Sequence, residues 1–201
     1  MTSTTPAWDD LRELAAGQAG FFTRAQAAKH GISAQLLRHH ERTGAVERAA
    51  RSVFRFRSHP HGERDDLVPI ALWAGAGARF SHATALALHQ LSDALPNKIH
   101  LSVPVAWRRR RVATPKRVVL HYADPYDDEV GWVGALPVTN IVATIADCIR
   151  DDVDATFVRQ AIAEARSRGS IDRPSAQRLT TRLNARLRRE QREADGGDED
   201  V

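Results

Sequence analysis

Phe21-Phe-Thr-Arg-Ala-Gln-Ala-Ala-Lys-His-Gly-Ile-Ser-Ala-Gln-Leu-Leu-Arg-His-His-Glu-Arg-Thr-Gly44 is the stretch that decides how the chain is read. Thr23 is placed to cap a helix through Ala25, Ala27 and Ala28 to His30, with Gly31 as its terminator. Ser33 caps a second helix that runs to about Thr43 and stops at Gly44. Upstream, Trp8, Leu11, Leu14 and Ala15 recur three and four residues apart, which predicts a short first helix ending near Gly17. Downstream the period changes. Val46, Val53, Phe54 and Phe56 fall in two β-prone runs split by Ala49-Ala50-Arg51-Ser52, the pattern of a small hairpin. Three helices followed by a hairpin is the layout of a winged helix-turn-helix over residues 8–58, whose last helix enters the DNA major groove while the hairpin touches the flanking backbone.

Gln35, Arg38, His39 and Arg42 are spaced to share one face of that last helix, with Leu36, Leu37 and His40 toward the other side. Glutamine bonds adenine bidentately and arginine bonds guanine N7 and O6, so the face carries base-reading groups. A solvated helix face has the same composition, and the flanking caps, glycine turn and hairpin favour DNA. In the hairpin, Arg48, Arg51, Arg55 and Arg57 are spaced to reach phosphates, contacts that position a protein without reading bases. Arginines on an edge strand also block edge pairing. Thr23 and Ser33, at the helix starts, complete the candidate DNA-binding set.

Ser58-His-Pro-His-Gly62 marks a domain edge. Residues 62–192 then read as a mixed α/β domain. Helices are expected from about Asp65 to Ala74 and from Ser81 to Leu91. Strands are expected at Ile99–Val103, Val118–Tyr122, Val130–Val133 and Leu136–Val138. Thr139 is expected to cap a helix through Ile141, Val142, Ile145 and Ile149. Further helices carry Phe157, Val158, Ala161, Ile162 and Ala165, then Leu179, Leu183 and Leu187. The fold class is α+β, with a small sheet, C-terminal helices and an acidic disordered tail at 193–201.

The 201 residues carry 29 basic and 25 acidic side chains, with arginine supplying 26 of the basic groups. The distribution matters more than the net +4. Residues 1–60 balance at +4, 61–122 at +5, 123–154 at −7 and 155–194 at +6. Such segregation provides one surface for polyanions and another that repels them. The longest uncharged run, Val130–Ala146, contains Gly131, Gly134, Pro137 and Asn140 and does not suit a bilayer span. The start, Met1-Thr-Ser-Thr-Thr-Pro-Ala-Trp, has no basic region leading into an apolar stretch, so a cytoplasmic location with no membrane partner is expected. The one cysteine, Cys148, excludes an internal disulfide and reads as a structural thiol.

Trp107-Arg-Arg-Arg-Arg111 lies between two expected strands and must be an exposed basic loop, since unpaired guanidinium groups do not enter cores. It suits an acidic partner, RNA or further DNA, with Trp107 stacking on a base or packing underneath, and equally suits a solvated turn. Catalytic patterns are weak. The acid cluster Asp124, Asp127, Asp128 and Glu129 has no acid followed two positions later by lysine, which a metal-dependent nuclease would show. Gly169-Ser170 lacks the paired aspartates of a nucleotidyltransferase. His59 with His61, and His82 with His89, lack a third ligand for zinc. No glycine-rich phosphate loop or serine nucleophile elbow is found. The expectation is no catalytic residue, no metal and no cofactor.

Leu11 to Phe56, with Phe21-Phe-Thr-Arg-Ala-Gln-Ala27, Gly31-Ile-Ser33 and Val53-Phe-Arg-Phe56, resembles the N-terminal winged helix of AbiEi-type antitoxins. Phe80-Ser-His-Ala-Thr-Ala-Leu-Ala-Leu-His89, Ile99-His-Leu-Ser-Val-Pro104, the arginine loop and Leu136-Pro-Val-Thr-Asn-Ile-Val-Ala-Thr-Ile-Ala-Asp147 look like the domain that follows in that family. The resemblance covers about residues 8–170. It implies a type IV antitoxin without enzymatic activity that counteracts a nucleotidyltransferase toxin, with or without direct contact. It also implies an autorepressor binding inverted repeats in its own promoter, as a cooperative monomer or weak dimer. Two other readings stay open: a ligand-responsive transcriptional regulator, and a nucleic-acid enzyme built on the acid cluster.

Overall fold

A computed structural model describes residues 6–110, 113–124 and 129–196. The fold is α+β and divides into two compact units: residues up to Ala76 together with Gly134–Leu136, and the remainder from Gly77.

In the first unit, helix α1 (Pro6–Ala16) is followed by strand β1 (Phe21–Thr23), helices α2 (Arg24–Lys29) and α3 (Ala34–Arg42), and the hairpin β2 (Val46–Ala50) and β3 (Val53–Phe56). Helix α4 (Val68–Ala74) closes it. Strand β1 is absent from the sequence expectation, because three residues are too few to show a period. It pairs antiparallel with β3, Phe22 opposite Phe54, to give a three-stranded sheet in the order β1-β3-β2. Strand β3 is therefore central and buried along its whole length. On one face Phe22, Phe54 and Phe56 join Trp8, Leu11, Ala27, Ile32 and Leu37 in the core. Each buried phenylalanine contributes about 1.5–3 kcal/mol. Helix α4 packs against β1 and β3, which moves the domain edge from the expected 58–62 to Ala76.

Gly20 enters β1 at φ +83°, and a Cβ there would lie 2.5 Å from Cβ of His59. Gly20→Ala is expected to destabilise this unit by about 2 kcal/mol or more, from the left-handed backbone and the clash together. Urea unfolding followed by tryptophan fluorescence measures it.

The second unit holds β4 (Arg79–Phe80), α5 (His82–Leu88), β5 (Ile99–Val103), β6 (Val118–Tyr122), β7 (Val130–Val133), all but the first residue of β8 (Leu136–Thr139), α6 (Ile141–Arg150), α7 (Ala155–Ser167) and α8 (Arg173–Gly196). Its sheet has the order β6-β5-β4-β8-β7, with β5 and β6 parallel and β4 antiparallel to β5. Leu86, Leu91, Ile145, Cys148, Val158, Ala161, Leu179 and Leu183 form the helical core. Burial pushes the Cys148 thiol well above its ordinary pKa, and the neighbouring Asp147 and Asp151 act in the same sense. It is an inert core group, as a structural thiol should be.

Asn140, and not Thr139, caps α6: its Oδ1 accepts from the Ala143 amide at 2.8 Å. Thr139 is the last residue of β8, and its hydroxyl lies 2.6 Å from that of Thr144. Helix α8 continues through Gly196, so residues 193–196 are helical where a tail was expected. The rest of that stretch lies outside the described residues. Gly169, at φ +68°, makes the turn that follows α7. Among the described residues no helix is long and apolar enough to cross a membrane.

Candidate nucleic-acid interface

The helix pair that carries the expected DNA-reading residues is fixed by its own side chains. Thr23 Oγ1 accepts from the Gln26 amide at 3.1 Å, and Gln26 Oε1 accepts from the Thr23 amide at 2.7 Å, a reciprocal capping box. Ser33 Oγ accepts from the Leu36 amide at 3.1 Å. Each cap contributes about 1 kcal/mol. Gly31, at φ +77°, makes the turn that a residue with a Cβ would strain. Thr23 and Ser33 thus spend their oxygens on helix starts.

Helix α3 is seated by Leu37, which is buried, and by His40, whose ring stacks on Trp8 at 4.1 Å. Burial lowers the His40 pKa, helped by the neighbouring Arg12 guanidinium, so this ring is a neutral packing group. Gln35, Arg38, His39 and Arg42 are all exposed. Leu36, expected toward the other side with Leu37 and His40, is 38% exposed. The arrangement presents an amide, two guanidinium forks and an imidazole from one rigid helix face, groups whose geometry matches base edges.

The hairpin arginines do not act alike. Arg51 is exposed in the turn between β2 and β3. Arg48 grips Glu41 on α3 through two contacts of 3.2 and 3.3 Å and lies over the Phe54 ring, tying the hairpin to the helix. Arg57 is exposed and 3.4 Å from Glu47. Arg55 contradicts the expectation of a phosphate contact. The register places it on the inner side of β3, where it is 2% exposed. Its Nη2 donates to the carbonyls of His59 (2.9 Å) and Pro60 (2.8 Å) and lies 3.3 Å from Asp65. Glu47 is 3.8 Å away, and Phe21 lies beneath the guanidinium. His61 belongs to the same cluster, 3.0 Å from Asp65.

In the second unit the arginine loop is a short 3-10 turn, Val105–Arg109. Trp107 is buried, which selects packing underneath over stacking on a base. Arg110 covers its ring at 4.3 Å and Arg108 lies over Tyr122 at 5.3 Å. Arg108, Arg109 and Arg110 are exposed, and Arg111 lies outside the described residues. Of the acid cluster, Asp124 accepts from the Val105 amide at 3.0 Å, a structural use, while Asp127 and Asp128 lie outside the described residues.

Sequence reasoning missed one polar assembly in this unit, formed by His82, His100, His121 and Asp151. Along the sequence His82 pairs only with His89, seven residues away on the expected helix Ser81–Leu91. The strand alternation held the signal: His100 and His121 both interrupt apolar runs.

Residues 9–57 match the family described as "Transcriptional regulator, AbiEi antitoxin", which bears out the resemblance over that segment. Among solved structures, the chain is similar to the crystal structure of RV2827C protein from Mycobacterium tuberculosis. That likeness covers 90% of this chain and 78% of the other, at 16% identity and a TM-score of 0.46. No curated protein matches the chain.

Proposed function

We propose, on the premise that residues 9–57 form an AbiEi-type regulator segment, that the first unit binds promoter DNA through α3 and that the second unit carries antitoxin activity. The observation that supports this most is the outward face of Gln35, Arg38, His39 and Arg42 on a helix that is capped, turned and wedged by Leu37 and His40. Binding energy then goes to the DNA and not to ordering the reader. Arg51 at the hairpin turn, with Arg48 and Arg57 beside it, supplies phosphate contacts. The site is a type IV autorepressor's: two copies occupy inverted repeats, cooperatively, in the promoter of a cytoplasmic toxin-antitoxin operon. The toxin is a nucleotidyltransferase encoded next door, opposed by this chain without chemistry of its own.

Coexpression with the adjacent gene, alongside a reporter driven by the shared promoter, tests both halves. Wild-type chain is expected to restore growth and silence the reporter. Arg38→Ala with Arg42→Ala is expected to release the reporter while growth is still restored. Silencing without rescue would overturn the antitoxin half and favour a ligand-responsive regulator. Rescue without silencing would overturn the promoter half.

A further inference from the structure

Three imidazoles and a carboxylate converge in the second unit from four separate elements. His82 begins α5, His100 lies on β5, His121 on β6, and Asp151 follows α6. One ring nitrogen of each histidine lies within 4.8 Å of one of each of the others. Asp151 Oδ2 is 3.0 Å from His82 Nε2 and 3.0 Å from His121 Nδ1. His100 Nδ1 is 3.0 Å from His121 Nε2. Donor atoms around a tetrahedral zinc ion, with bonds of about 2.0–2.1 Å, stand about 3.3 Å apart. The His82–Asp151 and Asp151–His121 pairs have nearly that spacing, and His100 offers a ring nitrogen within 4.8 Å of one on each of the other two histidines.

The surroundings prepare the cluster as ligands. His82 is 1% exposed in its side chain, and its buried Nε2, 3.0 Å from Asp151 Oδ2, makes no hydrogen bond. A buried ring nitrogen that faces a carboxylate and two more imidazoles without a hydrogen bond is placed as a metal ligand is. Its other nitrogen, Nδ1, sits 2.9 Å from Ser81 Oγ, which Ser102 Oγ supports at 2.8 Å. Arg150 Nε donates to Asp151 Oδ1 at 3.1 Å and leaves Oδ2 turned toward the rings. Such outer contacts orient metal ligands. His82 also holds φ at +52°, a strained conformation for a side-chain-bearing residue.

We propose that His82, His100, His121 and Asp151 bind one divalent transition-metal ion, with zinc as the occupant, in a structural site that pins α5, β5, β6 and the end of α6 together. Four protein ligands leave no open position, which is the mark of a structural site. The partly exposed His121 and the exposed Asp151 give the ion its way in. The site is independent of the DNA-reading face and stands whether or not that reading is correct.

The test takes the full chain, stripped with a chelator, and titrates zinc alone against a chromophoric competitor. One equivalent of zinc is expected to bind and to raise the melting temperature by several degrees. His100→Ala and His121→Ala should each weaken binding by at least about a hundredfold, and Ser81→Ala, which touches no metal, by about 10–100-fold. Cobalt(II) added to the stripped wild type should give the intense visible absorption of a tetrahedral site, a readout that needs no variant to fold. Binding by exposed histidines such as His39 would survive both alanine substitutions. That result, or a pale octahedral cobalt spectrum, would overturn the proposal and leave a hydrogen-bonded imidazole stack.

Discussion

Arg55→Ala is expected to cost the first unit about 3–5 kcal/mol, the largest stability loss of any arginine in the hairpin. Removing the guanidinium leaves Asp65 and Glu47 facing a cavity and strips two carbonyls, those of His59 and Pro60, of their donor. Arg55→Met restores volume over Phe21 but not charge, and should lose less. Urea unfolding of the two variants measures the difference. At Arg51, exposed in the turn, alanine should change stability by less than about 0.5 kcal/mol. A loss at Arg55 no greater than at Arg51 would show that the buried cluster is not what holds residues 58–65 to the sheet.

The second large effect falls on binding. Arg38→Ala is expected to lower affinity for the native promoter by about 10–100-fold, the size of one bidentate base contact at about 1–3 kcal/mol. Gln35→Ala should act in the same range. Affinity for scrambled DNA should fall far less, because nonspecific attraction comes from phosphate neutralisation and follows salt. Gel-shift titrations with native and scrambled duplexes at one fixed salt concentration read both numbers. His40→Ala, by contrast, would weaken binding only through its stack on Trp8, and its loss should appear equally in a melting curve.

The helix-turn-helix was legible because each of its boundaries has a local chemical cause: Thr23, Ser33, Gly31 and Gly44 act on their own neighbours within a few residues. Strand β1 was not, since Phe21–Thr23 becomes a strand only by pairing with β3, thirty or more residues away. The same long-range register decided Arg55. Alternation along Val53–Phe56 does not say that both faces are covered, and covering the second face turned a surface arginine into a core staple. Arg79 and Arg186 are buried likewise, Arg186 donating to the Val153 carbonyl at 2.9 Å. Segment charges counted from the sequence therefore overstate the basic surface. The histidine cluster was hidden for a related reason: its four members come from four elements, and nothing in their spacing along the chain brings them together.

The central claim is that the polar face of α3 enters the major groove, and methylation protection of guanine N7 on the promoter duplex tests it most directly. Wild-type chain is predicted to protect guanines in two half-sites, and Arg38→Ala to lose that protection at conditions where it still occupies the DNA. Protection of N7 unchanged in Arg38→Ala, or confined to adenine N3 in the minor groove, would contradict the account.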